Sequence, residues 1–209
     1  METTKSVNLT FRKTGGRTDF EIGLFHQDVD DYIFARLIEQ ETLGSGAKFN
    51  YLVYNAADAS FTGIDGQISH QFTPSSRVTV FGDYVRAKME SGDDRNLPRI
   101  PPGRLGARYE GNWGPLSADL EYYRTFAQNR VATYRTALGA TVREAPTDGY
   151  NMLNATIAYR FDLGLGKSVE FYARGTNLTN ELAFSHTSFV KDQSPLRGRS
   201  VTFGMRHQF

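Results

Sequence analysis

The final segment, Val201-Thr-Phe-Gly-Met-Arg-His-Gln-Phe209, alternates between two kinds of side chain. Its odd positions are apolar apart from His207, and its even positions are small or polar. Because successive side chains of a β-strand point to opposite faces, this period of two predicts a strand with one apolar face. A helix would need apolar residues three and four positions apart, which this segment lacks.

The same alternation recurs in eight earlier segments, and the set predicts an all-β chain of nine strands. These segments begin near Val7, Phe20, Ile64, Arg77, Leu105, Leu116, Leu153 and Val169. The 20 glycines, 11 tyrosines and 15 phenylalanines fit a protein with many turns and ring-bearing strand faces. Residues 34–41 come nearest to helical spacing, and we expect a loop segment there with at most one helical turn.

The predicted connections alternate in length along the chain. Short turns rich in Gly, Pro, Asn and Ser are expected near Gly15, Pro74, Gly114 and Leu165. Longer polar connections are expected over residues 29–58, 89–102, 127–149 and 183–198. Short turns at one end and long loops at the other are typical of an up-and-down membrane barrel.

Either a protein core or a lipid bilayer could cover the apolar strand faces. Tyrosine and phenylalanine cluster near strand ends, as at Phe11, Tyr159 and Phe209, which suits a membrane interface. The opposite faces carry charges in mid-strand, such as Arg108 and Glu121, which suit a watery or plugged lumen. The sequence therefore predicts an antiparallel up-and-down transmembrane β-barrel.

Composition argues against several classes of function. With 24 Lys and Arg against 23 Asp and Glu, the net charge of +1 gives no basic footprint for nucleic acid. The chain has no cysteine, which excludes disulfides and thiolate metal sites, and no apolar run approaches the ~18 residues of a membrane helix.

Gly164-Leu-Gly-Lys-Ser168 ends like a phosphate-binding loop, but Phe161 stands where that motif needs its first glycine. Serine, histidine and aspartate are too scattered for a catalytic triad, so we predict no enzyme activity and no cofactor.

The end of the chain resembles the C-terminus of TonB-dependent outer-membrane receptors. The matching residues are Phe171-Tyr-Ala-Arg-Gly-Thr-Asn-Leu-Thr-Asn180, His186-Thr-Ser-Phe-Val-Lys-Asp192, Pro195-Leu-Arg-Gly-Arg199 and the terminal strand to Phe209. Upstream, Asp28-Val-Asp-Asp-Tyr32 and Tyr54-Asn-Ala-Ala-Asp-Ala-Ser-Phe-Thr-Gly-Ile-Asp65 are similar to a strand, loop and strand of the same barrels. Each motif alone has low specificity, but the motifs occur in the family's order, and together they cover nearly the whole chain.

The resemblance implies that residues 1–209 are the C-terminal part of a larger, 22-stranded barrel, with the plug domain and signal peptide absent. It implies an outer-membrane receptor that imports an iron chelate or other metal complex. The implied partners are outer-membrane lipid and lipopolysaccharide, the TonB energy complex through the missing N-terminal part, the barrel-assembly machinery and a small-molecule metal complex. No nucleic acid is expected as a partner.

Two sets of residues are candidates for function. The first is the terminal strand, where the resemblance implies that Val201, Phe203, Met205 and Phe209 form a barrel-assembly signal as well as a lipid-facing stripe. The second set lies in the predicted loops and consists of His186, Lys191, Asp192, Asp30 and Asp31. Ligand contact by these residues is a hypothesis. For His186 the plainer interpretation is a loop histidine exposed to solvent. No spacing predicts a resident metal site.

A second class of function stays open from the sequence alone. The chain could be a self-contained small β-barrel that binds a ligand in water, or a passive outer-membrane pore. A soluble barrel would place the stripes at Leu153–Phe161 and Val201–Phe209 inward, against each other.

Overall fold

The computed structural model describes residues 1–46, 48–92, 94–135 and 139–209. Within these ranges the chain forms eleven strands, which we number in chain order. They are β1 Thr3–Lys13, β2 Thr18–Thr42, β3 Lys48–Thr73, β4 Ser76–Met89, β5 Arg104–Trp113, β6 Leu116–Thr125, β7 Thr133–Arg135, β8 Thr141–Arg143, β9 Tyr150–Gly164, β10 Lys167–Thr176 and β11 Ser200–Gln208.

Nine of the strands form one antiparallel sheet in the order β1-β2-β3-β4-β5-β6-β9-β10-β11. Each strand pairs with its neighbour along the chain, except that the small β7–β8 hairpin is inserted between β6 and β9. This topology confirms the predicted nine-stranded, up-and-down arrangement. In the described ranges β1 and β11 do not pair with each other, so the sheet is an open wall rather than a closed barrel.

One face of the sheet, which we call the apolar face, is formed by the predicted stripes. Cross-strand partners share a face, and the register places Leu9, Leu24 and Ile64 side by side on β1, β2 and β3. On the later strands Ile157 is 52% exposed and Phe203 is 79% exposed. The stripes therefore point away from the protein instead of packing inward against each other, which a soluble barrel would require.

The opposite face, which we call the charged face, is crossed by ion pairs, all between neighbouring strands except that of Arg77 on β4 with Asp19 on β2, which spans β3. The Arg12 guanidinium contacts Glu21 at 2.6 Å, and the Arg104 Nε donates to Asp83 at 2.9 Å. Further pairs join Arg77 to Asp19, Arg108 to Glu121, and both Arg160 and Arg206 to Glu170. The predicted division between an apolar and a charged side is confirmed.

The two ends of the sheet differ as predicted. At the turn end, tight turns join β1 to β2, β3 to β4, β5 to β6 and β9 to β10. Gly15 and Gly16 both have positive φ, of 89° and 81°, which explains the glycine pair in the first turn. At the loop end, the chain makes its long connections. Across the described ranges, no helix has the length and apolarity needed to cross a membrane.

The predicted loop over residues 29–58 is wrong, because most of it belongs to strands. β2 and β3 are 25 and 26 residues long, and they stay paired from Thr18 up to the tip near Leu43. The expected helical turn at residues 34–41 is wrong for the same reason. Register shifts between Val29 and Tyr32 and between Leu37 and Glu39 interrupt the pairing, and each bulge breaks the period of two on which the prediction depended.

The buried apolar core lies at the loop end, on the charged face of the sheet. Phe34, Ala59, Ala87 and Leu97 form it, and Leu97 is only 1% exposed. Leu97 comes from the connection between β4 and β5, so this connection folds back onto the sheet. Tyr134 of β7 packs against the same core. The long connections thus cover the charged face at one end and leave the apolar face uncovered.

Candidate functional site

The charged face contains a polar pocket of about 490 Å³ in mid-sheet. Its lining comes from five neighbouring strands, β2 to β6; it includes Glu21, Asp65, Gln67, Phe81, Asp83, Arg104, Arg108 and Glu121. The Arg108 Nε donates to Glu121 at 3.0 Å, and the Asn154 Nδ2 donates to the other oxygen of the same carboxylate at 3.2 Å. Glu21, Asp83 and Glu121 are thereby each held in place by an arginine on the next strand, and these pairs give that part of the pocket a fixed pattern of charge.

A second polar site is buried among the loops, and we call Glu144, His186 and Lys191 the buried charge cluster. The Lys191 Nζ lies 2.8 Å from Glu144 Oε1, and both side chains are 7% exposed. The His186 ring is fully buried, with its Nδ1 3.2 Å from the Lys191 Nζ and 2.9 Å from the Thr147 hydroxyl. The cluster joins the β10–β11 connection to the segment between β8 and β9.

Backbone groups complete the cluster and extend it to a third connection. The Arg99 backbone N–H donates to Glu144 Oε1 at 2.9 Å, and the Ala132 N–H donates to Oε2 at 3.3 Å. The Arg99 guanidinium donates to the Ala35 carbonyl at 2.7 Å and lies 4.3 Å above the Phe189 ring. One carboxylate therefore ties three connections to each other, and Arg99 ties them to β2.

Burial and neighbouring charge shift the protonation of the cluster. Burial, with the adjacent Lys191 ammonium acting in the same direction, lowers the pKa of His186 to about 4, so the ring is neutral at pH 7. Burial also lowers the pKa of Lys191, while its hydrogen bond to Glu144 opposes that shift. The favoured state is a neutral histidine beside a lysine–glutamate ion pair.

The structure brings together some of the loop candidates and separates the others. His186 and Lys191 are in direct contact, and Asp192 follows them at the rim of a small cavity that Arg99 also lines. The expectation that a loop histidine is solvated is wrong, since His186 is 2% exposed. Ligand contact by these residues stays a prediction.

Asp30 and Asp31 lie apart from the cluster, at the first bulge of β2. Both are exposed. The Lys5 Nζ is 4.0 Å from Asp30, and the terminal amine of Met1 is 3.3 Å from Asp31. Asp31 has a φ of 57°, the backbone conformation of the extra residue that forms the bulge. Their ligand-binding role also stays a prediction.

The residues predicted as an assembly signal lie together on the apolar face of the edge strand. Val201, Phe203 and Met205 are 53%, 79% and 63% exposed, and Phe209 follows at the chain end. The ring of His207 packs edge-on against Phe209 at 4.3 Å. This arrangement agrees with a lipid-facing stripe and leaves the assembly role a prediction.

Sequence reasoning missed Glu144, Thr147 and Arg99. All three sit in long connections without periodic patterning, and the partners that make them important are distant in the chain. Glu144 and Lys191 are 47 residues apart, so no local spacing could have identified the pair. Within the described part of the chain, no group of three or more histidines and carboxylates is arranged to hold a metal ion.

A family comparison explains the two faces and the two ends of this sheet. The family model described as "TonB dependent receptor-like, beta-barrel" matches residues 1–178. The chain belongs to this family. Members of the family are transporters and receptors of the outer membrane, so the apolar face is the lipid-facing side of a barrel wall, the charged face lines its lumen, and the protein is located in the cell outer membrane.

Solved structures of TonB-dependent receptors share the fold. The copper transporter OprC superposes with a TM-score of 0.75 at 18% identity, over 98% of this chain and 31% of OprC. The FrpB iron transporter from Neisseria meningitidis superposes with a TM-score of 0.68 at 14% identity, over 98% of this chain and 31% of FrpB. The pyoverdine receptor FpvA from Pseudomonas aeruginosa PAO1 superposes with a TM-score of 0.69 at 12% identity, over 100% of this chain and 30% of FpvA. The chain thus spans about a third of the length of these receptors.

Proposed function

We propose that the chain supplies the C-terminal strands of an outer-membrane receptor that takes up a metal complex, either an iron chelate or another chelated metal. The observation that carries the proposal is the folding of the long connections onto the charged face. In a closed barrel that face encloses the lumen, so the connections and the pocket would border one passage. A passive pore would need no buried charge cluster to hold its loops in one arrangement.

In this proposal the two polar sites have different roles. The pocket beside Arg104 and Arg108 lines the passage, and the loops above it select the ligand. The solved relatives include a copper transporter, an iron transporter and a receptor bound to pyoverdine, which supports metal complexes as the substrate class. Energy would reach the receptor from TonB through a part of the receptor outside this chain, and the barrel-assembly machinery would insert the strands.

Uptake by whole cells tests the proposal. A strain that lacks the gene encoding this sequence should lose accumulation of one labelled metal complex from a panel of ⁵⁵Fe chelates and ⁶⁴Cu complexes. Restoring the gene should restore accumulation, and a protonophore should abolish it. If the deletion leaves the uptake of every complex unchanged, or if the restored uptake is insensitive to the protonophore, the proposal is wrong.

A further inference from the structure

Two sequence motifs that the transport proposal does not use face each other in the structure. Asn177-Leu-Thr-Asn180 follows the end of β10, and Pro195-Leu-Arg-Gly-Arg199 precedes the start of β11. The Asn177 Nδ2 donates to the Arg197 carbonyl at 3.1 Å, and the Arg199 N–H donates to the Asn180 Oδ1 at 3.1 Å. Two side chains at the start of the connection thus hold the backbone at its end. We call these two hydrogen bonds the asparagine clamp.

The local backbone is shaped for the clamp. Asn177 and Asn180 have positive φ, of 49° and 56°, a conformation that asparagine adopts more readily than most residues. At Gly198 a Cβ would stand 3.3 Å from the Asn180 Oδ1, so a residue without a side chain allows the two segments to approach. Asn177 is 3% exposed, and its Oδ1 also accepts the Glu181 N–H at 2.8 Å. Both motifs therefore carry the residue types that this arrangement requires.

The start of the connection is anchored on β9. The Asn177 N–H donates to the Asn154 Oδ1 at 3.0 Å, and the Leu178 N–H donates to the Leu153 carbonyl at 2.8 Å. The Asn154 side chain in turn donates to Glu121 on β6. The clamp therefore transmits a position fixed on the wall to the residues directly before β11.

Alternation alone does not fix the register of β11. In the described part of the chain β11 pairs only with β10, where Ala173 stands opposite Phe203. A slip of two residues would place Ala173 opposite Val201 or Met205, which are also apolar, and every side chain would keep its face. The connection would change by two residues, which alters its closure entropy very little. Something besides the apolar pattern must select the observed register.

Two contacts on the charged face favour this register further along β11. The Arg206 guanidinium donates to Glu170 at 3.3 Å, but Arg206 is 73% exposed, and exposed ion pairs contribute little. At Gly204 any side chain would overlap the Tyr172 ring. Both contacts lie beyond the first residues of β11, so neither holds the end at which the strand begins.

We propose that the asparagine clamp selects the register of β11, the strand at the edge of the described sheet. Closing a sheet into a barrel requires a fixed stagger between its strands, and a slip of two residues would change that stagger. Asn177 and Asn180 are positioning residues in this inference. It concerns the wall of the receptor and holds for any transported metal complex.

Disulfide trapping in the receptor in outer membranes tests the register. Because this chain has no cysteine, Ala173→Cys can be combined with Val201→Cys, Phe203→Cys or Met205→Cys. A disulfide needs Cα atoms within about 7 Å of each other, so it links directly opposed residues rather than diagonal ones. After oxidation and tryptic digestion, mass spectrometry measures each link, since residues 168–174 and 200–206 are single tryptic peptides.

With the clamp intact, Ala173→Cys should link to Phe203→Cys and hardly to the other two positions. Asn177→Gly/Asn180→Gly permits the same positive φ but removes both hydrogen bonds. It should lower the ratio of native to slipped links by about 30-fold, since each hydrogen bond contributes about 1 kcal/mol. Asn180→Asp is the matched control, because its carboxylate still accepts the Arg199 N–H, and it should keep the wild-type ratio.

Asn177→Asp isolates one half of the clamp and decides the matter if the double variant does not fold. It keeps the acceptor for the Glu181 N–H and loses the donor to Arg197, so the ratio should fall about fivefold. A wild-type ratio in the Asn177 variants, or the absence of any slipped link, would overturn the inference. Heat-modifiable mobility in SDS gels checks that each variant is folded, and metal uptake reports separately on the transport proposal.

Discussion

At the scale of single residues, the ion pair between Lys191 and Glu144 holds three long connections together. Both charges are buried, and two backbone N–H groups also donate to the carboxylate. The attraction offsets the cost of removing two charges from water only while both partners are present. Removing one of the two charged side chains should therefore destabilise the loops more than removing both.

Replacing the lysine alone should open the loops. We expect Lys191→Met to destabilise the loop arrangement by about 3–5 kcal/mol, because Glu144 would remain as an unpaired buried charge. Amide hydrogen exchange should rise over residues 139–149 and 177–199. The double variant Glu144→Gln/Lys191→Met should recover much of the protection, and Lys167→Met at the turn end should leave it unchanged. Equal exchange in Lys191→Met and the wild type would show that the pair does not hold the loops.

Acid should loosen the same cluster through His186. Burial lowers the pKa of this ring from an ordinary 6.5 to about 4. Between these values an opened loop binds more protons than the closed one, so the free energy of opening falls as the pH falls. We expect loop exchange, corrected for the intrinsic rate at each pH, to increase from pH 6.5 to pH 4. His186→Gln should flatten this dependence, whereas His207→Gln, on the lipid-facing edge strand, should not; an unchanged slope in His186→Gln would contradict the assignment.

At the scale of elements, β11 is both an edge strand and the proposed assembly signal. Phe209→Ala should reduce the amount of folded receptor in the outer membrane, because it removes the terminal ring. Phe161→Ala is the matched control, since Phe161 lies on the same face of β9 and is 48% exposed. Immunoblots of outer-membrane fractions, with heat-modifiable mobility as the readout, compare the two. A similar reduction in both variants would assign Phe209 a lipid-facing role alone.

The strands inside the membrane could be predicted from sequence, and the strands above it could not. Lipid on one side and the lumen on the other impose a strict alternation on β9, β10 and β11. Above the membrane, β2 and β3 have water or protein on both sides, and two bulges shift their phase, so residues 29–58 looked like a loop. The β7–β8 hairpin has strands of three residues, too short to show a period.

The candidate site was only partly predictable for a related reason. His186 and Lys191 lie five residues apart in a segment that resembles the family, so they could be selected together. Their burial depends on Glu144 and Thr147, which the chain brings in from another connection. Long-range pairing of this kind leaves no periodic trace in the sequence.

At the scale of the whole molecule, the described part of the sheet is open, with β1 and β11 as unpaired edges and an uncovered apolar face. Both features promote association in water. We expect the isolated chain to form inclusion bodies and to show β-type circular dichroism only in detergent. A monodisperse monomer that melts cooperatively in plain buffer would contradict this expectation.

In the assembled receptor the apolar face contacts acyl chains and the charged face borders the lumen. Since the chain has no cysteine, single nitroxide labels can be placed cleanly. In the receptor reconstituted into lipid bilayers, labels at Ile157→Cys and Phe203→Cys should be relaxed more by oxygen than by a water-soluble nickel chelate. Labels at the neighbouring Thr156→Cys and Thr202→Cys should show the reverse. If the two pairs of positions give the same ratio, or the opposite order, the assignment of the two faces is wrong.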